Sequence, residues 1–384
     1  TVVVAVVVVV GAMNIYIILG AYFVIGGLAV GIFLYGKADG NSLFDRLYRL
    51  LCMQLPSLLK KGLEKCFGKR APELLDRVWV YLCFTSNPLV QIFYLLVVVG
   101  GYATFAAYGY PHIPSRLLSS VHKYVGFVLF TACLAIWAKA CTTDPGTVTA
   151  ANVDELCKTY EWDQQIFVSG ECKTCELVKP ARSKHCSLCR KCVARFDHHC
   201  IWINNCVGVG NHRYFLWFLF AHLAICFYGF GLGGTILFEV VVQKELLTAV
   251  FVNPVTRERY QATYLIVGQY LLATEGMVVF VTVLCAIMGF VLLGFFGWHL
   301  NLVRTGCTTN ELSKWNYIKW CLKQEGEEGK EKMKLLCNIY NKGIRSNFRE
   351  VFFPVNVRAL PQQVETAEKE KPTSRGKKGK AKAG

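Results

Sequence analysis

Residues 172–206 read CKTCELVKPARSKHCSLCRKCVARFDHHCIWINNC, with seven cysteines and three histidines. Cys172-x-x-Cys175 and Cys186-x-x-Cys189 have the spacing that lets two thiolates grip one Zn²⁺ from a tight turn, at about 2.3 Å per sulfur. Seven is an odd number, and packed Cys-x-x-Cys pairs favour a metal over disulfides on a reducing face, so zinc is expected. Two closed tetrahedral sites would use eight of the ten candidate ligands and leave two over. Asp197, His198, His199 and Cys200 are consecutive, so one imidazole can hold zinc while the other faces the Cys200 thiol. A thiol beside a base that a carboxylate orients is the arrangement of an activated nucleophile. A purely structural two-zinc module fits the same spacing, and the spacing alone does not separate the two.

Long apolar runs flank this stretch. Across 384 residues, 54% are hydrophobic and the mean hydropathy is +0.36, too apolar for an ordinary soluble protein. The formal charge of +16 must therefore sit in loops and tails, which suits a multi-pass membrane protein with cytosolic basic segments. The first run, Val2 to Tyr35, exceeds the roughly 20 residues a span needs, and Asn14 to Tyr35 makes one well-sized span. The valine run Val2 to Val10 has no basic n-region, so a cleaved signal is not expected; Met13 reads as a translation start after an upstream extension.

Residues 36–87 form a basic loop carrying Arg46, Arg49, Lys60, Lys61, Lys65, Lys69 and Arg70. Leu47, Leu50, Leu51 and Leu55 recur there at helical spacing, which fits an interfacial amphipathic helix or a solvated linker helix. Its positive charge makes the loop cytosolic and the N-terminus lumenal. Residues 88–140 carry two further spans, Pro88–Tyr108 and Tyr124–Ala140, and residues 214–303 carry Tyr214–Val242 and Met277–Val303. The fold expected is an α-helical membrane protein of about five spans. Its cysteine-rich domain (141–213), C-terminal region (304–354) and basic, disordered tail (355–384) would all be cytosolic. Gly229, Gly231, Gly233 and Gly234 permit close helix contact or a bend. Glu275 marks a helix start near the lumenal interface, or an intramembrane acid.

Three smaller motifs accompany the cysteines: Asp144-Pro145-Gly146 just past the third span, Thr308-Thr309-Asn310-Glu311, and Tyr340-Asn341-Lys342-Gly343 followed by Asn347 and Phe352. In order and spacing, the chain from about Pro88 to Pro354 resembles the DHHC protein S-acyltransferases (palmitoyltransferases). The resemblance implies one zinc on Cys172, Cys175, His185 and Cys192, and a second on Cys186, Cys189, His199 and Cys206. Both would be structural, since neither ligand set leaves an open position. It leaves Cys200 as nucleophile, His198 as its base and Asp197 as the orienting acid. Ile201 stands where that family usually has proline.

The implied reaction moves a long-chain acyl group, palmitoyl, from acyl-CoA to cysteine thiols of membrane-associated proteins through an acyl-enzyme. It would run at the cytosolic face of the endoplasmic reticulum or Golgi, with the plasma membrane as an alternative. Burial of the acyl chain is worth about 0.8 kcal/mol per CH₂, which calls for a nucleophile just beneath the bilayer. Arg182, Lys184, Arg190 and Lys191 are candidates for the CoA phosphates, although the same charges also suit anionic lipid. A membrane scaffold would instead leave Cys200 inert, and a deacylating hydrolase would transfer nothing to protein thiols. Nucleic acid is not expected as a partner, because the finger-type Cys₂…His-x₃₋₅-His order is missing.

Overall fold

The computed structural model describes residues 3–5, 32, 40–252 and 257–354. The Met13 start, the tail 355–384 and, apart from Ile32, the expected first span lie outside the described residues. Val3–Ala5 form a short strand, β1. The basic loop is helical: α1 (Leu43–Arg49), a π-helical turn, α2 (Leu55–Phe67) and α3 (Arg70–Phe84). Ser42 and Asp45 start α1 with a reciprocal capping box. Leu50, Leu51 and Leu55 stay exposed, as do Leu58 and Trp79, so these helices present apolar side chains that the described protein does not cover.

Among the described residues, four helices are long and apolar enough to cross a membrane: α4 (Leu89–Tyr108), α5 (Val121–Thr142), and then α7 (His212–Gln243) and α9 (Gly276–Arg304). Between the pairs lie α6 (Val153–Thr159) and three two-stranded hairpins. The 32 residues of α7 span about 48 Å, more than the roughly 30 Å of bilayer hydrocarbon, so its first turns reach into the hairpin module. The glycine run of α7 is half used for packing: Gly233 and Gly229, four apart, face Thr282 and Cys285 of α9, where a Cβ would collide at Gly233 and be tight at Gly229. Gly231 and Gly234 face open space.

The loops sort onto two sides. At one end Leu117 N–H donates to the buried Glu239 carboxylate (2.8 Å), and His112 lies 3.3 Å from Glu275. Glu275 sits between α8 (Tyr264–Thr274) and α9, as a helix-start residue rather than an acid deep in the bundle. A sheet in the order β1–β8–β9, with β8 at Val250–Val252 and β9 at Arg259–Gln261, occupies the loop after α7. At the other end the hairpin module meets α10 (Thr309–Gln324) and α12 (Ile344–Phe352), and α11 (Gly326–Lys334) packs on α10.

Asp144-Pro145-Gly146 joins span to module. Asp144 Oδ1 accepts from the N–H groups of Gly146 (2.7 Å) and Thr147 (2.8 Å), closing a tight turn. Gly146, at φ +97°, holds a backbone conformation that side chains resist. Its carbonyl accepts from Ala194 N–H, while Pro145 O accepts from Gly210 N–H, so the turn is stitched to both ends of the module.

Candidate active site

The module consists of three antiparallel hairpins: β2 (Glu171–Cys172) with β3 (Leu177–Val178), β4 (Lys184–Cys186) with β5 (Lys191–Val193), and β6 (His198–Cys200) with β7 (Asn205–Val207). His185 pairs across the ladder with Cys192, and His199 with Cys206. Each pair faces the Cys-x-x-Cys turn of the preceding hairpin. Two tetrads result, Cys172–Cys175–His185–Cys192 and Cys186–Cys189–His199–Cys206, each with its ligand atoms within 4.8 Å of one another. Three sulfurs and one imidazole converging from two hairpins is a donor set suited to zinc. Glu176 and Arg190, each directly after a Cys-x-x-Cys, adopt positive φ (55° and 53°), which turns the chain back around the would-be ion.

Alternation along a strand separates the adjacent DHHC side chains. Successive side chains point to opposite faces, so His199 turns to its tetrad while His198 and Cys200 share the other face. His198 Nδ1 lies 2.6 Å from Asp197 Oδ2, which leaves Nε2 free on the strand face that His198 shares with Cys200. Burial by itself would lower the His198 pKa, but the Asp197 hydrogen bond and the nearby Cys200 outweigh it and raise the value to about 9. Burial would push the Asp197 carboxyl up, yet the His198 hydrogen bond and the Thr309 backbone N–H hold it well below the ordinary carboxylate range. Thr309 N–H donates to Asp197 Oδ1 (2.8 Å) and its hydroxyl donates to Oδ2 (2.9 Å). Asp197 thus sits at the N-terminus of α10, the positive end of the helix dipole.

Cys200 faces the bundle. It lies in one apolar cluster with Tyr94, Ala140, Ile203, Phe215, Phe218 and Leu219, so it borders α4, α5 and α7 together. The turn that follows it is pinned to those helices. Gln91 donates to Ile203 O (3.0 Å), Trp137 donates to Trp202 O (3.0 Å), and Asn205 caps the last carbonyls of α5 at Cys141 and Thr143. Ile201 is exposed on this turn.

Arg182 corrects one expectation. It is 0% exposed and forks onto Glu311 (Nε–Oε1 2.7 Å, Nη2–Oε2 2.8 Å), with Nη1 on Glu350 (3.0 Å) and Cζ 5.1 Å and 4.6 Å from the ring centroids of Tyr160 and Tyr340. Its donors are committed to carboxylates, so it is no phosphate ligand. Lys184 and Arg190 are exposed and Lys191 is half-buried, so these three remain at the module surface.

Sequence reasoning did not assign several residues that the fold brings to the site. The Thr-Thr-x-Glu motif divides its work: Thr308 caps α10, Thr309 holds Asp197, and Glu311 holds Arg182. Asn347 ties Arg304 O to Asn341, closing the C-terminal segment over the end of α9. His212 and His299 lie beside Asp197 with ligand atoms of all three within 4.8 Å. A histidine within the apolar run that forms α9 was the available signal for His299.

A DHHC palmitoyltransferase family model matches residues 169–316. Palmitoyltransferase ZDHHC4 of Bos taurus is 32% identical over 307 residues, 78% of this chain and 89% of the bovine protein. The chain belongs to the DHHC palmitoyltransferase family. Palmitoyltransferase ZDHHC4 of Rattus norvegicus is 30% identical, covering 76% of this chain and 84% of the rat protein. Palmitoyltransferase swf1 of Schizosaccharomyces pombe is 28% identical, covering 87% and 96%. As a DHHC palmitoyltransferase the chain is a membrane-bound protein S-palmitoyltransferase, and its two Cys₃His tetrads are able to hold two zinc ions.

Proposed function

We propose that Cys200 is the acyl-carrying nucleophile of a two-step transfer from palmitoyl-CoA to protein thiols, with His198 as base and Asp197 as its orienting acid. The observation that carries this reading is the position of His198. Its Nδ1 is fixed by Asp197 and it shares a strand face with Cys200, beneath the apolar helices where an acyl chain would lie.

The Cys200 proton passes to His198 Nε2, and the thiolate attacks the thioester carbonyl of palmitoyl-CoA. The C–S bond to CoA breaks, CoA sulfur takes the proton from His198, and S-palmitoyl-Cys200 remains. A substrate cysteine then gives its proton to His198 and takes the acyl group, and the proton returns to Cys200. Each step exchanges one thioester for another, so orientation and proton handling are the main requirements. The two tetrads, when zinc is bound, staple the hairpins and hold β6 against the spans; they leave no open position for chemistry. Lys184, Arg190 and Lys191 support a basic surface for the CoA phosphates, and the positive charge of residues 36–87 supports a cytosolic site on an endomembrane.

Incubation of the purified chain with labelled palmitoyl-CoA tests the reading. Label should appear on Cys200, and Cys200→Ser should abolish both self-acylation and transfer while retaining about two zinc ions per chain. Transfer by Cys200→Ser at near wild-type rate would remove the acyl-enzyme from the path.

A further inference from the structure

Asp197, His212 and His299 form a third buried cluster, in which both histidines are 1% exposed. Arg195 Nη1 lies 3.0 Å from His212 Nδ1. A guanidinium only donates, so Nδ1 is the acceptor and the neutral ring carries its hydrogen on Nε2. That Nε2–H is buried without a protein partner, and so are both ring nitrogens of His299. A protonated Nε2 has no lone pair for a metal, which sets this cluster apart from the two tetrads.

The spacing suits a water instead. Two hydrogen bonds of about 2.8 Å meeting at one oxygen bridge groups less than about 5 Å apart, and a buried water needs two to four polar partners. Asp197 already accepts from Thr309 N–H, the Thr309 hydroxyl and His198, which occupies three of about four acceptor positions of a carboxylate. The aromatic surroundings are fixed: His299 stands edge-on to Phe215 (4.9 Å), and Phe215 edge-on to His198 (5.0 Å).

We propose that His212 and His299 hold a single water against Asp197, completing the carboxylate's shell, and that both are positioning residues for His198. The α9 span thereby reaches the proton-handling pair of β6. This inference rests on the reading of Asp197, His198 and Cys200 given above.

Single-turnover self-acylation with labelled palmitoyl-CoA, read together with zinc content, tests it. His299→Phe should keep about two zinc ions and the palmitoyl-CoA concentration dependence. Its acylation rate should fall on the order of 10- to 100-fold, as expected for a misplaced catalytic group. His299→Asn or His299→Gln, which keep a polar edge, should recover much of that rate. A wild-type rate for His299→Phe, or polar variants as slow as His299→Phe, would overturn the proposal. Asp197→Asn separates the two levels. A wild-type rate there sinks the catalytic reading, whereas a slow Asp197→Asn beside a fast His299→Phe sinks only the water. Should His299→Phe lose its zinc, a high-resolution experimental map of the wild-type protein decides: a peak within hydrogen-bond distance of all three side chains supports the site, and a dry contact refutes it.

Discussion

Thr309 and Asp197, 112 positions apart in sequence, are joined by two hydrogen bonds of 2.8 and 2.9 Å. The first residue of a helix beyond the final span thereby holds the acid that orients His198. On the proposed mechanism the C-terminal region is part of the catalytic geometry, since its docking sets where Asp197 points.

Thr309→Val deletes the hydroxyl donor but keeps the backbone N–H. A hydrogen bond to a charged group is worth about 1.5–3 kcal/mol, so self-acylation should slow by about 10- to 100-fold if the loss appears in the barrier. Zinc content should stay near two per chain, and an unchanged rate would mean that the N–H alone fixes Asp197.

The pH profile should break on the alkaline side. The proton that His198 takes from Cys200 stays on the imidazole up to about pH 9, because the Asp197 hydrogen bond and the nearby Cys200 outweigh burial. The rate should therefore be steady through neutral pH and fall as pH rises through about 9, where the proton donor to CoA sulfur is lost. Asp197→Asn removes the leading upward influence, so its break should lie at lower pH. The same raised value makes the His198 contact stabilising in full below the ordinary 6.5, with the contribution lost as pH rises through about 9. A break that does not move in Asp197→Asn counts against the assignment.

Arg182 and Glu311 form a buried fork, so removing one partner strands the other. Glu311→Gln or Arg182→Met alone should cost about 3–5 kcal/mol, measured as lost thermal stability, and the double variant should recover part of it. Equal losses in the single and double variants would show that packing against Tyr160 and Tyr340, rather than charge, sets the cost.

Zinc loss should be cooperative. The β4–β5 hairpin supplies His185 and Cys192 to one tetrad and Cys186 and Cys189 to the other. Binding in such modules is worth about 10–16 kcal/mol and is inseparable from folding. Cys186→Ser should therefore take zinc content from about two to below one, with a matching fall in folded yield. A stable one-zinc protein would show that the hairpins fold independently.

The sequence carried the spans and the metal module because both write strong local signals. An apolar run longer than twenty residues needs no partner to be recognised, and α4, α5, α7 and α9 begin and end within three residues of expectation. Cys-x-x-Cys spacing likewise encodes its turn. Arg182 was misjudged because charge alone does not reveal burial; Glu311 and Glu350, its partners, lie 129 and 168 positions away. His212 and His299 were silent for the same reason, since nothing local to either names Asp197.

The alternation of side chains along β6 also decides which cysteine stays out of the tetrads. Cys200 and the six cysteines of the tetrads are the same chemical group, and parity distinguishes them: an odd step from His199 leads away from the metal. Inserting or deleting one residue within His198–Cys200 would exchange the faces, turning the thiol toward the tetrad and an imidazole away from it. Hairpin tips such as Ile201 can change in composition, whereas strand length is under a much stricter constraint. Away from the tetrads and β6, the hairpin tips of this module therefore tolerate substitution more readily than β6 tolerates a single-residue insertion.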